Sequence, residues 1–182
     1  MSEPVTVPHI LVTNDDGITS PGILALKDAL AAVGRVTVLA PSRNWSASGH
    51  VKTMHKPLRV DEVTLPDGAL ALATDGAPSD SVALAFLGMV ERPIDIVVSG
   101  INNGANLGHD VTYSGTVTAA MEGAIAGVPA IAVSLTERGH PDLSLAAQFA
   151  VRLTREVLAR GLPPATLLNV NVPPISADEL QG

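Results

Sequence analysis

With 182 residues, 46% of them hydrophobic and none of them cysteine, the chain can bury one domain-sized core but cannot form a disulfide or a thiolate metal site. Eighteen acidic residues against eleven basic ones leave a net charge of −7, and aromatics are only 2%, so no nucleic acid polymer is expected as a partner. No apolar run approaches the ~18 residues of a membrane span, and Met1-Ser2-Glu3-Pro4 is no secretory leader; a soluble, cytoplasmic protein without a membrane partner is expected.

The first strand is expected over His9–Thr13, where Ile10, Leu11 and Val12 favour a buried pleat. It stops at Asn14-Asp15-Asp16-Gly17, which is turn chemistry, and Ser20-Pro21-Gly22 supplies a cap and first turn. Ile23, Leu24, Leu26, Leu30 and Val33 predict a helix over 22–33 closed by Gly34, with a strand at 35–40. Residues 41–49 form a polar loop at the carboxyl end of that strand, long enough to fold back over the same crevice. From 50 to 63, Val51, Thr53, Leu58 and Val60 alternate like an exposed strand, and a short strand at 69–74 ends in the Asp75-Gly76 turn.

Pro78-Ser79-Asp80 opens a helix to about residue 89, and the apolar run at 94–99 reads as a buried parallel strand. A loop rich in Gly and Asn spans 100–113, after which Ser114-Gly115-Thr116 starts a helix to about 126 that Gly127 closes. A strand at 130–135, an amphipathic helix over Ser144–Arg160 and a strand at 166–172 follow. Strands alternate with helices almost throughout, so one α/β domain is expected, a mainly parallel sheet with helices on both faces.

Four stretches can carry chemistry. Asp15 and Asp16 stand where ligands gather in open α/β sheets, beyond a strand's carboxyl end. Without cysteine nearby, two carboxylates favour a hard cation such as Mg²⁺ or Mn²⁺; the plainer reading is an Asx turn and helix cap. In Asn44–Gly49, Ser46 or Ser48 offers a neutral hydroxyl ligand and Trp45 either faces a base or covers the core edge. In the third stretch Asn102, Asn103 or Asn106 can complete a cation's shell, while Gly100, Gly104 and Gly108 let backbone approach a ligand, unless this is simply a Gly/Asn turn. Ser114-Gly115-Thr116 at a helix start can bind a phosphate, or merely cap the helix.

Taken together, oxygen ligands for a cation and donors for an anion describe metal-assisted phosphate-ester hydrolysis. Dinucleotide, P-loop and serine-hydrolase fingerprints are absent. Asp15 followed two places later by Gly17 breaks the Asp-x-Asp of haloacid-dehalogenase phosphatases, and Lys27, Lys52 and Lys56 do not supply the late lysine of a receiver module. His9, His50, His55, His109 and His140 lack metal-motif spacing, though His109 lies in the third stretch and can serve as acid or base.

Leu11-Val12-Thr13-Asn14-Asp15-Asp16-Gly17-Ile18, Ala40-Pro41 through Ser46 to Gly49, Val98-Ser99-Gly100-Ile101-Asn102 through Asn106, Tyr113-Ser114-Gly115-Thr116-Val117 and Asn169-Val170-Asn171-Val172-Pro173 occur here in one order and spacing. By these segments the chain resembles the SurE family, the survival-protein nucleotidases. The resemblance implies a Rossmann-like three-layer fold and a phosphatase, a 5′/3′-nucleotidase, acting on 5′- and 3′-nucleoside monophosphates and, in some members, on short polyphosphate. It implies one divalent cation per subunit, Mg²⁺ or Mn²⁺, held by Asp15, Asp16, Ser46 and Asn102, with Asp15 and Asp16 as the catalytic carboxylates. Asn106, Ser114, Gly115 and Thr116 would line the phosphate site. Family members continue past Asn-Val-Asn-Val-Pro into a C-terminal arm exchanged between subunits, so residues 1–182 are read as one nucleotidase domain without that oligomerisation arm. A homodimer or homotetramer is implied. The alternative from another class is a non-catalytic stress protein that binds nucleotide and metal with the same residues.

Overall fold

The computed structural model describes residues 7–91, 93–139 and 142–180, so His140 lies outside the described residues. Its elements are β1 (His9–Thr13), α1 (Pro21–Leu30), β2 (Arg35–Pro41), β3 (Val60–Thr64), β4 (Leu70–Thr74), α2 (Pro78–Leu84), β5 (Ile96–Asn102), α3 (Gly115–Ile125), β6 (Ala130–Leu135), α4 (Ser144–Arg160) and β7 (Leu167–Val172). A wide turn at Ala85–Met89 extends α2 as far as the sequence predicts, and a short 3₁₀ turn at Gly108–Thr112 precedes α3.

The seven strands run in the order β3-β4-β2-β1-β5-β6-β7, parallel except for the antiparallel pair β3–β4. Side chains alternate across the central strands, and each set finds a different helical layer. Ile10, Val12, Ile96 and Val98 pack with Ile23, Leu26 and Leu30 of α1 and Ala146, Ala147 and Ala150 of α4. Leu11, Leu39 and Val97 pack with Val82 of α2 and Val117, Ala119 and Ala120 of α3. The three-layer α/β fold is therefore as read. From β1 the chain winds toward β2 and β4, and from β5 toward β6 and β7, which makes the gap between β1 and β5 the switch point of the sheet.

Two expectations are corrected. Residues 50–59 are not strand; only Val60–Thr64 pairs, against β4 at the sheet edge. The reason is local competition for hydrogen bonds. Thr53 N–H donates to the Asp80 carboxylate (3.1 Å) and Arg59 N–H to Asp75 Oδ1 (2.9 Å), so carboxylates take donors that a neighbouring strand would have used. The fifth strand, in turn, continues past Ser99 to Asn102, with an irregular register between Ser99 and Asn102 and a cis Gly100–Ile101 peptide. At Gly100, φ is +138° and a Cβ would come within 2.3 Å of Val133 O, so only glycine lets β5 run on beside β6.

Candidate active site

The acidic turn is built from inside. Asn14 is fully buried; its Nδ2 donates to Gly17 O (3.0 Å) and Ser20 Oγ (2.7 Å), and its Oδ1 accepts from Gly17 N–H (3.2 Å). Ser20 Oγ in turn accepts from Ile23 N–H at the start of α1 (3.3 Å). One amide thus holds both the turn after β1 and the cap of the next helix, leaving the Asp15 and Asp16 carboxylates to line the cleft.

Asp15 is buried against the beginning of α3, where Thr116 Oγ1 donates to its Oδ1 (2.5 Å). A Cβ at Gly115 would lie 2.7 Å from Asp15 Cβ, so the glycine makes room for the carboxylate. Burial pushes the Asp15 carboxyl above the ordinary aspartate range; the Thr116 hydrogen bond works against this and the Asp16 charge adds to it. Half-buried Asp16 accepts from Asn44 Nδ2 at Oδ1 (3.2 Å) and from Asn103 N–H at Oδ2 (3.1 Å). Asn44 Oδ1 accepts from Ser46 N–H (2.7 Å) and Trp45 N–H donates to Asp15 O (2.7 Å), which ties the loop after β2 to the acidic turn.

Asn102 Nδ2 donates to Gly104 O (2.8 Å), fixing the amide so that its Oδ1 is the end left for a ligand. Buried Asn106 is held by the last two strands: its N–H donates to Asn171 Oδ1 (2.8 Å), its Nδ2 to Ser134 Oγ (2.8 Å), and its carbonyl accepts from Asn169 Nδ2 (2.9 Å). Ser114 Oγ accepts from Val117 N–H (3.1 Å), which caps α3 and leaves the hydroxyl proton free to donate outward.

Six of the eight predicted site residues, Asp15, Asp16, Ser46, Asn102, Asn106 and Ser114, line one cleft of about 360 Å³. Gly115 and Thr116 lie beneath it, the latter fully buried and committed to Asp15. Ser48 does not reach the cleft, and Trp45 lies under the Arg43 guanidinium, 4.7 Å from its ring centre. His109 stands exposed on the 3₁₀ turn outside the lining; His50 pairs with Glu122, His9 lies against Pro93 O and Thr37 Oγ1, and His55 is exposed. Asp110 and Arg138 line the cleft without a motif to announce them. A readable signal existed for Arg138. It follows the carboxyl end of another parallel strand, β6, and is the only lysine or arginine between that strand and α4.

Among the described residues neither Asp15 nor Asp16 makes an ion pair, and no cluster of three His, Cys, Asp or Glu is present. Two adjacent uncompensated carboxylates beside a neutral hydroxyl and an amide oxygen suit a hard divalent cation that keeps several waters.

A doubly wound α/β protein with an oxygen-lined cleft at its switch point, backed by a buried helix start, defines the class. The Survival protein SurE family profile matches residues 10–182, and the chain belongs to that family. It is 56% identical over 172 residues to the 5′-nucleotidase SurE of Herpetosiphon aurantiacus, covering 93% of this chain and 68% of that protein. It is 55% identical over 177 residues to the 5′-nucleotidase SurE of Chloroflexus aggregans, covering 96% and 70% respectively. The crystal structure of the SurE protein from Aquifex aeolicus superposes with a TM-score of 0.85 at 44% identity, over 94% of this chain and 68% of that one.

Proposed function

We propose that the protein is a divalent-metal-dependent nucleotidase, a phosphoric monoester hydrolase that takes 5′- and 3′-nucleoside monophosphates and short polyphosphate. The observation that carries this reading is the meeting of Asp15, Asp16, Ser46 and Asn102 with Asn106 and Ser114 in one cleft. Relatives more than half identical, named 5′-nucleotidase SurE, support it.

Asp15, Asp16, Ser46 and Asn102 would hold one Mg²⁺ or Mn²⁺ per subunit. The bound ion supplies Lewis-acid polarisation of a phosphoryl oxygen and a water of lowered pKa. The chain's own residues do the rest. Ser114 Oγ–H and Asn106 Nδ2–H donate to phosphoryl oxygens, and because both are fixed by packing and hydrogen bonds they need no reorganisation as charge develops. Asp16, more open than Asp15, is the carboxylate placed to take a proton from an attacking water. The homodimer or homotetramer and the cytoplasmic location belong to the same proposal; among the described residues no helix is long and apolar enough to cross a membrane.

The test is phosphate release from a panel of 5′- and 3′-nucleoside monophosphates with Mn²⁺ or Mg²⁺, then with EDTA, for the native chain and Asp16→Asn. Release that requires metal and falls by about 100-fold or more in the variant is expected, the scale of losing one preorganised charged group. A folded, Mn²⁺-binding protein that releases no phosphate from any nucleotide would favour a binding protein instead.

A further inference from the structure

The cleft holds one cationic side chain among the described residues, Arg138, carried by the turn after β6. Three observations bear on it. Its turn is fastened to the acidic loop: Gly139 N–H donates to Asn103 Oδ1 (2.6 Å), and Asn103 N–H donates to Asp16 Oδ2 (3.1 Å). Its side chain lies across Gly104, where φ is +136° and an added Cβ would sit 3.0 Å from Arg138 Cγ and Nε. The arginine therefore rests on the loop that joins Asn102 to Asn106, and any side chain at 104 would strain the backbone and lift it. Finally, Arg138 makes no ion pair with a described residue although Asp15, Asp16 and Asp110 share the cleft.

Charge gives that unspent guanidinium a task. The two ligating aspartates cancel a divalent cation, Asp110 adds a further negative charge, and Ser114 and Asn106 are neutral donors. A phosphate monoester dianion entering this cleft meets one remaining positive group. The guanidinium fork matches two oxygens of a terminal phosphate at once, leaving a third for the neutral donors; a diester lacks that third oxygen.

We infer that Arg138 is a phosphate-binding residue that recognises the terminal oxygens of a phosphate monoester and sets the preference for monoesters over diesters. This rests on the nucleotidase reading for its substrate, but phosphate binding can be tested without turnover. Inorganic phosphate is titrated calorimetrically into the Mn²⁺-saturated native chain, Arg138→Ala and Arg138→Lys, and Mn²⁺ affinity is measured for each. The phosphate Kd is expected to weaken about tenfold or more in Arg138→Ala and to recover partly in Arg138→Lys, which keeps charge without the fork. Mn²⁺ affinity should stay within about twofold, and KM for a nucleoside monophosphate should rise more than kcat falls. An unchanged phosphate Kd in Arg138→Ala, no phosphate binding by the native chain, or a loss matched by an equal loss of Mn²⁺ affinity would each overturn the inference. Phosphate binding that depends on Arg138 in a chain that hydrolyses no nucleotide would uphold it and sink the nucleotidase reading instead.

Discussion

Asp15 pays for its position beneath the cleft by burial, and the consequence has a definite sign. Its carboxyl titrates above the ordinary aspartate value, so the folded state holds that proton more tightly than the unfolded chain does. Metal-free stability therefore falls as pH rises from the ordinary aspartate range through the raised value. On the proposed metal role, cation and proton would compete for the same oxygens, so Mn²⁺ affinity is expected to climb with pH over that window and to level once Asp15 is ionised. Thr116→Val removes a donor that favours the ionised form while keeping the side chain's shape. Calorimetry across pH should show the rise displaced to higher pH and the affinity within it weakened about tenfold, as for other supporting partners of metal ligands. Activity or affinity independent of pH in this variant would contradict the role given to the hydroxyl.

At the scale of elements, the telling segment is the strap of residues 42–59, which crosses the molecule without regular structure and carries Ser46. It is held by carboxylates on two helices. Buried Asp80 on α2 accepts from Thr53 N–H and Thr53 Oγ1 (2.6 Å) and reaches back to Ala77 N–H (2.9 Å). Buried Glu122 on α3 pairs with His50 and with Lys52 Nζ (2.5 Å). The two clasps should fail differently. Asp80→Ala strips donors inside the fold and should cost about 3 kcal/mol in denaturant unfolding, whereas Glu122→Ala frees only the half nearer Ser46 and should weaken Mn²⁺ binding about tenfold with helix content unchanged.

These clasps also explain what was and was not legible in the sequence. Ser144–Arg160 and His9–Thr13 were readable because their periodicity is their cause: the faces they bury are written in local spacing. Residues 50–59 alternate like a strand, yet their hydrogen bonds go to carboxylates elsewhere in the chain, which no local pattern records. In the site, the ligand candidates were visible as clusters of turn residues at strand ends. Thr116 was expected at the phosphate site; the bond of its hydroxyl to Asp15 was not legible, because only the fold puts Asp15 over the start of α3. Arg138 stood apart from every motif and came to the cleft through one hydrogen bond from its neighbour Gly139 to Asn103.

For the whole molecule, the cleft is a seam where both halves of the sheet meet, so filling it should stabilise the fold globally. Mn²⁺ at a hundredfold excess over its Kd is worth about 2.7 kcal/mol, which for a chain of this size is a rise in Tm of about 5–10 °C. Differential scanning calorimetry should show that rise in the native chain, its reversal by EDTA and its loss in Asp16→Asn. A native Tm indifferent to Mn²⁺ would mean that the carboxylates do not hold the ion.

Helix α3 touches the site twice: Thr116 meets Asp15, and six residues on Glu122 grips the strap that carries Ser46, with Thr118 Oγ1 donating to Gly49 O between them (3.1 Å). At about 1.5 Å and 100° per residue, that helix works as a ruler with a phase. The strap is bonded to the acidic turn at its near end, through Trp45 N–H and Asn44, and its far end at His50 and Lys52 is set against Asp15 by the pitch of a rigid rod. A single residue inserted between 116 and 122 would swing Glu122 a quarter turn away from the strap and put the two halves of the cleft out of step.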